Sequence, residues 1–553
     1  MKKIAFTIYG FLIIANSFAQ DPTYQEKLFY TCKVWGFMKY YHSRVSTNEI
    51  NWDSVLVQNL PKIKSAVTNI QFNNAIDNML RAAGPMELTN TPSPDTLPVE
   101  LKRNLSFEWI QDKIFSNDIR MKLDTIKNHF RPHAISYAKL TNENRTIKYF
   151  LGKKSINTSD QKGYPEENVR LLAFFSFWNY MNYFNPNQYL LDNRWDSTLY
   201  HNVVSIASAG NSKELSYAFK KVCTKLDDAH VETSTFNLAG FFIPSVTVRY
   251  IQNEYVVINS DIRGIEEGDI IEKVDHKTPL EWEDELRPYI SAGNESVFRK
   301  LVAIYMLSGS YLSKAHIELK DRSGDNKSRS AFRHHITRFN LIHFPNNTLR
   351  DVKWKKLDGN VGYVNMGVLK VSDIDSMYNA LKGTSSIIFD LRNYPRHTLW
   401  NLAPVLYPNR ICFAKLLVPS VTYPGTFTLM NDSLGINGNV NSYKGKVIVL
   451  CNQDTQSQAE YTCMVLKAMP NATIIGSQTA GADGNTIQIR FSGDIVFGYS
   501  SVGVYYPDGT NTQRVGIVPD ITITPTIEGI RNNRDEVLEK ALEVAGCSKL
   551  ARN

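Results

Sequence analysis

The chain repeats itself at an offset of 143 residues. KVWGFMKYYHS, from Lys33, aligns without a gap on SFWNYMNYFNP, from Ser176: Trp35 on Trp178, Phe37 on Tyr180, Met38 on Met181, Tyr40 and Tyr41 on Tyr183 and Phe184. NWDSVL and RWDSTL continue the register, with Trp52 on Trp195, Asp53 on Asp196 and Leu56 on Leu199. With 8 Trp and 12 Met in the whole chain, an ungapped match anchored on both types marks a duplicated unit. Apolar residues at helical spacing, such as Ile70, Ala75, Ile76 and Leu80, make that unit helical and its aromatics core. The second copy ends in KLDDAHVETS, and the register places Glu87 opposite its His230. Packing would place a His in both copies, whereas chemistry needs it once. That singles out His230 among eleven histidines.

A length of 553 residues predicts three or four domains. The 43% hydrophobic and 21% charged content fits ordinary cores under a solvated surface. The net charge of +8 is spread along the chain, which excludes a nucleic-acid footprint. Lys2 and Lys3, the apolar stretch Ile4 to Ala15, and small residues Ser17 and Ala19 read as a secretory signal peptide, 1–19, cleaved to leave Gln20. No Cys follows that site, so a lipid anchor is not expected, and no later run reaches the ~18 apolar residues of a membrane span. The expected location is therefore the periplasm, cell envelope or extracellular space. Six Cys without a CxxC, and without His at zinc spacing beside them, exclude a disulfide scaffold and leave no metal or cofactor to expect.

After the two helical copies (20–92 and 166–239, around a 93–165 spacer) the pattern turns to short strands over 240–335: SVTVRYIQ, EYVVINS and GDIIEKVDH. With RGIEEGD before the third strand, this segment resembles a PDZ domain, whose corresponding region reads GL..GD.I..V.G. The stretch EDELRPYISAGNESVFRKLVAIYMLSG reads as one long helix. From 336 to the end an α/β rhythm predicts parallel βαβ units. Strands are expected at VGYVNMGVL, SIIFDLR, KVIVLCN and ATIIGS. Helices are expected at SDIDSMYNALKG, capped by Ser372, and at RDEVLEKALEVAG.

In KVIVLCNQDTQSQAEYTC, Ser457 stands where strand gives way to helix, with Glu460 three places on. Taken alone, S-x-x-E before a helix is a capping box. Taken in order, IIFDLRNYP, VIVLCNQDTQSQAE, ATIIGSQTAG and GIVPDI resemble the C-terminal processing (tail-specific) serine peptidases and their tricorn-core relatives. That resemblance implies a ClpP/crotonase-like core and makes Ser457 the nucleophile. A Ser hydroxyl needs an adjacent base. The processing peptidases use a Lys 25 residues after the Ser, and here that place is Ala482. The tricorn-like branch uses a His in a segment resembling LDDAHVE, which is His230. The branch places a Glu before G-[IV]-x-P-D to hold the imidazole; here Gln513 falls near that place, and Asp227 or Asp228 stand as substitutes. Backbone amides of Gln458, Arg396 and His397 are the expected oxyanion hole, with His397 also the second candidate base.

The expected protein is an exported serine endopeptidase acting on polypeptides through Ser457 and His230, with the PDZ-like module capturing the peptide. The alternative is a degenerate peptidase fold that binds peptides without cleaving them; hydrolysis of a non-peptide ester is a third. Oligomeric state stays open.

Overall fold

The computed structural model describes residues 21–86, 103–130, 132–141, 147–150, 164–233, 240, 242–336, 349–492 and 495–547. The expected signal peptide, 1–19, and Glu87 lie outside the described residues, as does much of the spacer, 93–165. Among the described residues no helix is long and apolar enough to cross a membrane. The six cysteines are free, five of them buried.

The helices Tyr24–Tyr41, Trp52–Ser65 and Asn69–Ala82 have counterparts in Glu167–Phe184, Trp195–Ser208 and Ser212–Cys223. Tyr24 and Glu167, the first residues of the two long helices, are 143 apart and share a 2.8 Å hydrogen bond. A buried indole N–H needs an acceptor, and both copies meet that need in the same way. Trp35 Nε1 donates to the Trp52 carbonyl at 3.2 Å and Trp52 Nε1 to the Trp35 carbonyl at 2.9 Å. Trp178 and Trp195 exchange the same two bonds, each at 3.1 Å. The two long helices touch at Gly36, where a β-carbon would stand 1.8 Å from Asn179 Oδ1. Asn179 Nδ2 uses the approach to donate to the Cys32 carbonyl at 3.0 Å.

Both cations that neutralise the paired aspartates come from the first long helix. Lys33 meets Asp196 at 2.7 Å, and Lys39 meets Asp53 at 2.6 Å. Lys39 is 1% exposed, and its ammonium lies 4.4 Å from the Trp35 ring centre and 4.3 Å from that of Tyr137. Burial alone would depress its pKa; the Asp53 charge with Tyr149 and Tyr137 outweighs burial and holds Lys39 above its usual value.

The second region is a five-stranded antiparallel sheet in the order Val246–Ile251, Glu254–Ser260, Ile270–Val274, Lys314–Lys320, Asn326–Phe332. The single long helix expected here is two, Pro279–Leu286 and Glu295–Tyr305. Pro288, without an amide to donate, sits in the short turn Arg287–Tyr289, and Asn294 restarts the helix by accepting from the Val297 amide at 3.1 Å.

The C-terminal region carries a six-stranded sheet, Trp354–Leu357, Val361–Asn365, Ser386–Asp390, Lys446–Cys451, Ala472–Gly476, Ile521–Thr522 in spatial order. Neighbours are parallel except for the first pair. Its central strands are buried on both faces, which explains their unbroken apolar runs. The helix expected to be capped by Ser372 starts at Ile374 after a 3₁₀ turn, Val371–Asp373, so its N-cap residue is Asp373, whose carboxylate instead closes the 3₁₀ turn by accepting the Lys370 amide at 2.9 Å.

A hairpin, Thr486–Phe491 with Ile495–Ser500, leaves this core and packs on the second helical copy. Phe497 meets Phe177 with ring centres 4.7 Å apart, and Tyr499 donates to the Tyr180 hydroxyl at 3.2 Å. Two residues of chain following the helical copy, Glu232–Thr233, add to this hairpin as a third antiparallel strand, pairing with Gly498 and Phe497.

Removing one partner of a buried ion pair strands the other charge. Lys39→Met is therefore expected to destabilise the helical unit by about 3–5 kcal/mol, seen as a lower urea midpoint. Lys39→Met/Asp53→Leu should recover most of the loss. An unchanged midpoint in the single variant would mean that Asp53 finds another partner or stays hydrated.

Candidate active site

Ser457 follows the central strand Lys446–Cys451 and precedes the helix Gln458–Lys467. The turn between them is fixed from below: Thr455 Oγ1 donates to the Leu391 carbonyl at 2.7 Å and accepts the Asn452 amide at 3.0 Å. Ser457 has φ 55° and ψ −122°. An N-cap residue sits in the extended region with negative φ, and a residue with a β-carbon held at positive φ carries strain of order 1–3 kcal/mol. A sharp strand-to-helix turn of this kind lifts a hydroxyl clear of the sheet, as a nucleophile requires.

Glu460 holds the turn in place. Its carboxylate is fully buried and accepts the Ser457 amide at 3.1 Å, the Gly481 amide at 2.8 Å, the Ala482 amide at 3.2 Å and the Thr479 hydroxyl. The Ser457 amide also reaches the Ala482 carbonyl at 3.0 Å. Burial pushes the Glu460 carboxyl up to about 7, against the lowering pull of these hydrogen bonds. Asp483, equally buried, is driven well above the carboxylate range by burial and by the charge of Glu460. The glycine of GIVPDI has a reason here. Gly516 has φ 66°, and a β-carbon on it would lie 2.8 Å from Glu460 Oε1 and 2.4 Å from Thr479 Oγ1. Ala482, at the place of the processing peptidases' Lys, is buried.

The loop bearing His230 reaches the Ser457 turn from the N-terminal half. Gln456 Nε2 donates to the Ala229 carbonyl at 3.4 Å, bringing the residue before Ser457 onto the residue before His230. The His230 side chain is 9% exposed, and its Nδ1 lies 2.8 Å from Ser500 Oγ. Ser500 Oγ in turn donates to Asp228 Oδ1 at 2.9 Å. A hydroxyl has one hydrogen, and Ser500 spends it on the carboxylate, so Ser500 must accept from His230 Nδ1–H. That fixes the tautomer and leaves the Nε2 lone pair able to accept a proton. Asp228 also accepts the His230 amide at 2.9 Å and the Ser500 amide at 2.8 Å, and its Oδ1 is 3.9 Å from Nδ1. Burial lowers the His230 pKa, and the Asp228 charge opposes it.

At His230 Nδ1, the place expected for Gln513, stands Ser500, with Asp228 behind it. Strand pairing at Glu232–Thr233 delivers Ser500 to the imidazole, whereas the Gln513 turn is held to the opposite loop by the Arg514 amide on the Gly481 carbonyl at 2.7 Å. Gln513 Nε2 is buried without a partner among the described residues, as is Gln458 Oε1. Arg396 and His397 lie exposed on the loop after Ser386–Asp390; Arg396 Nε donates to the Gly367 carbonyl at 2.9 Å, and no described hydrogen bond joins either residue to the Ser457 turn. Asp228 is partly legible in LDDAH, but no local signal in GYSS marks Ser500.

The antiparallel-sheet region docks beside the same turn. Its edge strand Val246–Ile251 contributes Arg249, which pairs with Asp454, two residues into the Ser457 turn, and Lys300 meets the same carboxylate at 3.3 Å. Asn294 Nδ2 donates to the Thr479 carbonyl at 2.9 Å. A cavity of about 530 Å³ opens beside Asn294, with Asp227 and Arg514 among its walls; neither Ser457 nor His230 lines it.

Residues 360–523 match the model of Peptidase family S41. The chain is similar in fold to solved structures of mature CPAF. The one complexed with lactacystin has a TM-score of 0.56 at 13% identity, covering 68% of this chain and 98% of that one. A second, of mature CPAF, has a TM-score of 0.56 at 13% identity, covering 69% and 99%. No curated protein sequence matches the chain. The strand-to-helix serine lies inside the segment that matches Peptidase family S41, residues 360–523, and the chain is a serine peptidase.

Proposed function

We propose that this chain is an exported endopeptidase in which Ser457 attacks the scissile carbonyl and His230, rather than a lysine, takes its proton. The observation that carries the reading is the relay His230–Ser500–Asp228 set against the strained Ser457 turn. In the reaction, Ser457 Oγ bonds to the carbonyl carbon as its hydrogen passes to His230 Nε2. The imidazolium returns that proton to the departing amine as the C–N bond breaks, and water repeats the sequence on the acyl-enzyme. The imidazolium formed on the way is 3.9 Å from an Asp228 oxygen, with Ser500 between them. The amide of Gln458, in the first turn of its helix where N–H groups lack intrahelical partners, is the leading oxyanion donor; those of Arg396 and His397 complete the set. The antiparallel sheet is the PDZ-like module, and its Val246–Ile251 edge, tied by Arg249 to the nucleophile turn, is the edge on which an extended peptide adds as a strand. Export follows from the signal peptide, 1–19.

A fluorophosphonate should label Ser457, with labelling abolished in Ser457→Ala and reduced about 10²–10⁴-fold in rate in His230→Ala. Equal labelling of wild type and Ser457→Ala would place the nucleophile elsewhere.

The pH profile tests the base. A general base acts when neutral, and burial lowers His230, so kcat/KM should rise through an acid limb below the ordinary histidine value of about 6.5. Asp228→Asn removes the charge that opposes the lowering. The limb should move further down while kcat falls, because the imidazolium loses its counter-charge. A limb that stays in place in this variant, with folding intact, would dissociate Asp228 from the base.

A further inference from the structure

A separate cluster of nitrogen and oxygen donors lies on the five-stranded antiparallel sheet. Along Lys314–Lys320, His316 and Glu318 alternate with buried Ala315, Ile317 and Leu319, so both project from the unpacked face. His276 reaches them from the turn that follows Ile270–Val274. One ligand atom from each of His276, His316 and Glu318 lies within 4.8 Å of the other two. His316 Nε2 is 3.9 Å from Glu318 Oε1, and the two imidazole ring centres are 5.3 Å apart.

The turn itself points to a ligand. Val274 and Lys277 exchange backbone hydrogen bonds of 2.9 and 3.1 Å around Asp275 and His276, whose φ angles are 48° and 69°. A two-residue turn with both φ positive favours glycine at its second position. The PDZ pattern that this segment resembles has glycine at that place, and here it is His276. Asp275 clamps the turn, accepting the His316 amide at 2.9 Å and pairing with the Arg333 guanidinium. An imidazole thus stands over His316 at a position where the turn favours glycine.

We propose that His276, His316 and Glu318 bind a divalent transition-metal ion, Zn²⁺ being the one the donor set fits. Two imidazoles and a carboxylate suit zinc, while nitrogen donors disfavour calcium and magnesium. Three protein ligands leave a fourth position for water. Exposed His276 closes the cluster by rotamer change; the ion displaces Lys273, 3.8 Å from Glu318, and the Ser328 hydroxyl, 3.3 Å from His316 Nε2. No spacing in the sequence flags this triad, because His276 comes from a turn and the other two from a strand that returns after two helices.

The test is calorimetric titration of ZnCl₂ into the chelator-stripped full chain, with Co²⁺ visible absorption reporting coordination geometry. One equivalent should bind with tetrahedral-type Co²⁺ bands. His276→Ala, His316→Ala and Glu318→Gln should each weaken binding by at least about tenfold, while His201→Ala, an exposed histidine elsewhere, should not. Circular dichroism checks that each variant is folded, and His276→Ala, in an exposed turn, keeps the test open if His316→Ala unfolds. Absent binding, half an equivalent per chain, or binding that His276→Ala and Glu318→Gln leave unchanged would overturn the proposal.

Discussion

The Asp228 carboxylate ties the molecule together. It ends the second helical copy, and its oxygens accept from Ser500 on the hairpin of the C-terminal region and from its own chain at His230. Its backbone exchanges hydrogen bonds with Ser291 of the antiparallel-sheet region, the Asp228 amide donating at 3.3 Å and the Asp228 carbonyl accepting at 2.9 Å. Three structural units therefore converge on one residue. A buried carboxylate with several donors is strongly held, since leaving any of them unpaired costs desolvation without return. The imidazole inherits this rigidity: its main chain and its Nδ1 are both fixed through Asp228, the latter by way of Ser500.

The Ser457 turn is held by a second buried carboxylate that works in a different way. Asp228 organises the His230 imidazole, whereas Glu460 organises a strained backbone. Four donors from Ser457, Thr479, Gly481 and Ala482 converge on it, locking the turn against the loop that carries Ala482. The positive φ at Ser457 persists because this network over-determines it. Gly516, by leaving room beside Glu460, is part of the same support.

The helical copies contribute packing more than chemistry. Their reciprocal tryptophan bonds and the Lys39–Asp53 pair give a rigid block on which the hairpin carrying Ser500 rests through Phe497 and Tyr499. The helical block thus supports the site at one remove: it leads into His230, and its rigidity sets where Ser500 stands.

Local pattern alone determined much of this. The 143-residue offset located both helical units, since periodicity and rare aromatics survive without knowledge of the fold. Apolar runs located the strands of the parallel sheet, and the strand-to-helix junction located Ser457. What tertiary structure alone decided were the partners. Ser500 is 270 residues from His230, and its place in the relay comes from a two-residue strand too short to read from propensity. Gln513 stood at the expected position in the sequence, yet strand pairing put another side chain against the imidazole. Capping and nucleophilic readings of S-x-x-E share one sequence, and the positive φ at Ser457 is visible only in the folded chain. Hydrogen bonds between distant segments depend on register and approach angle, and a linear pattern carries neither.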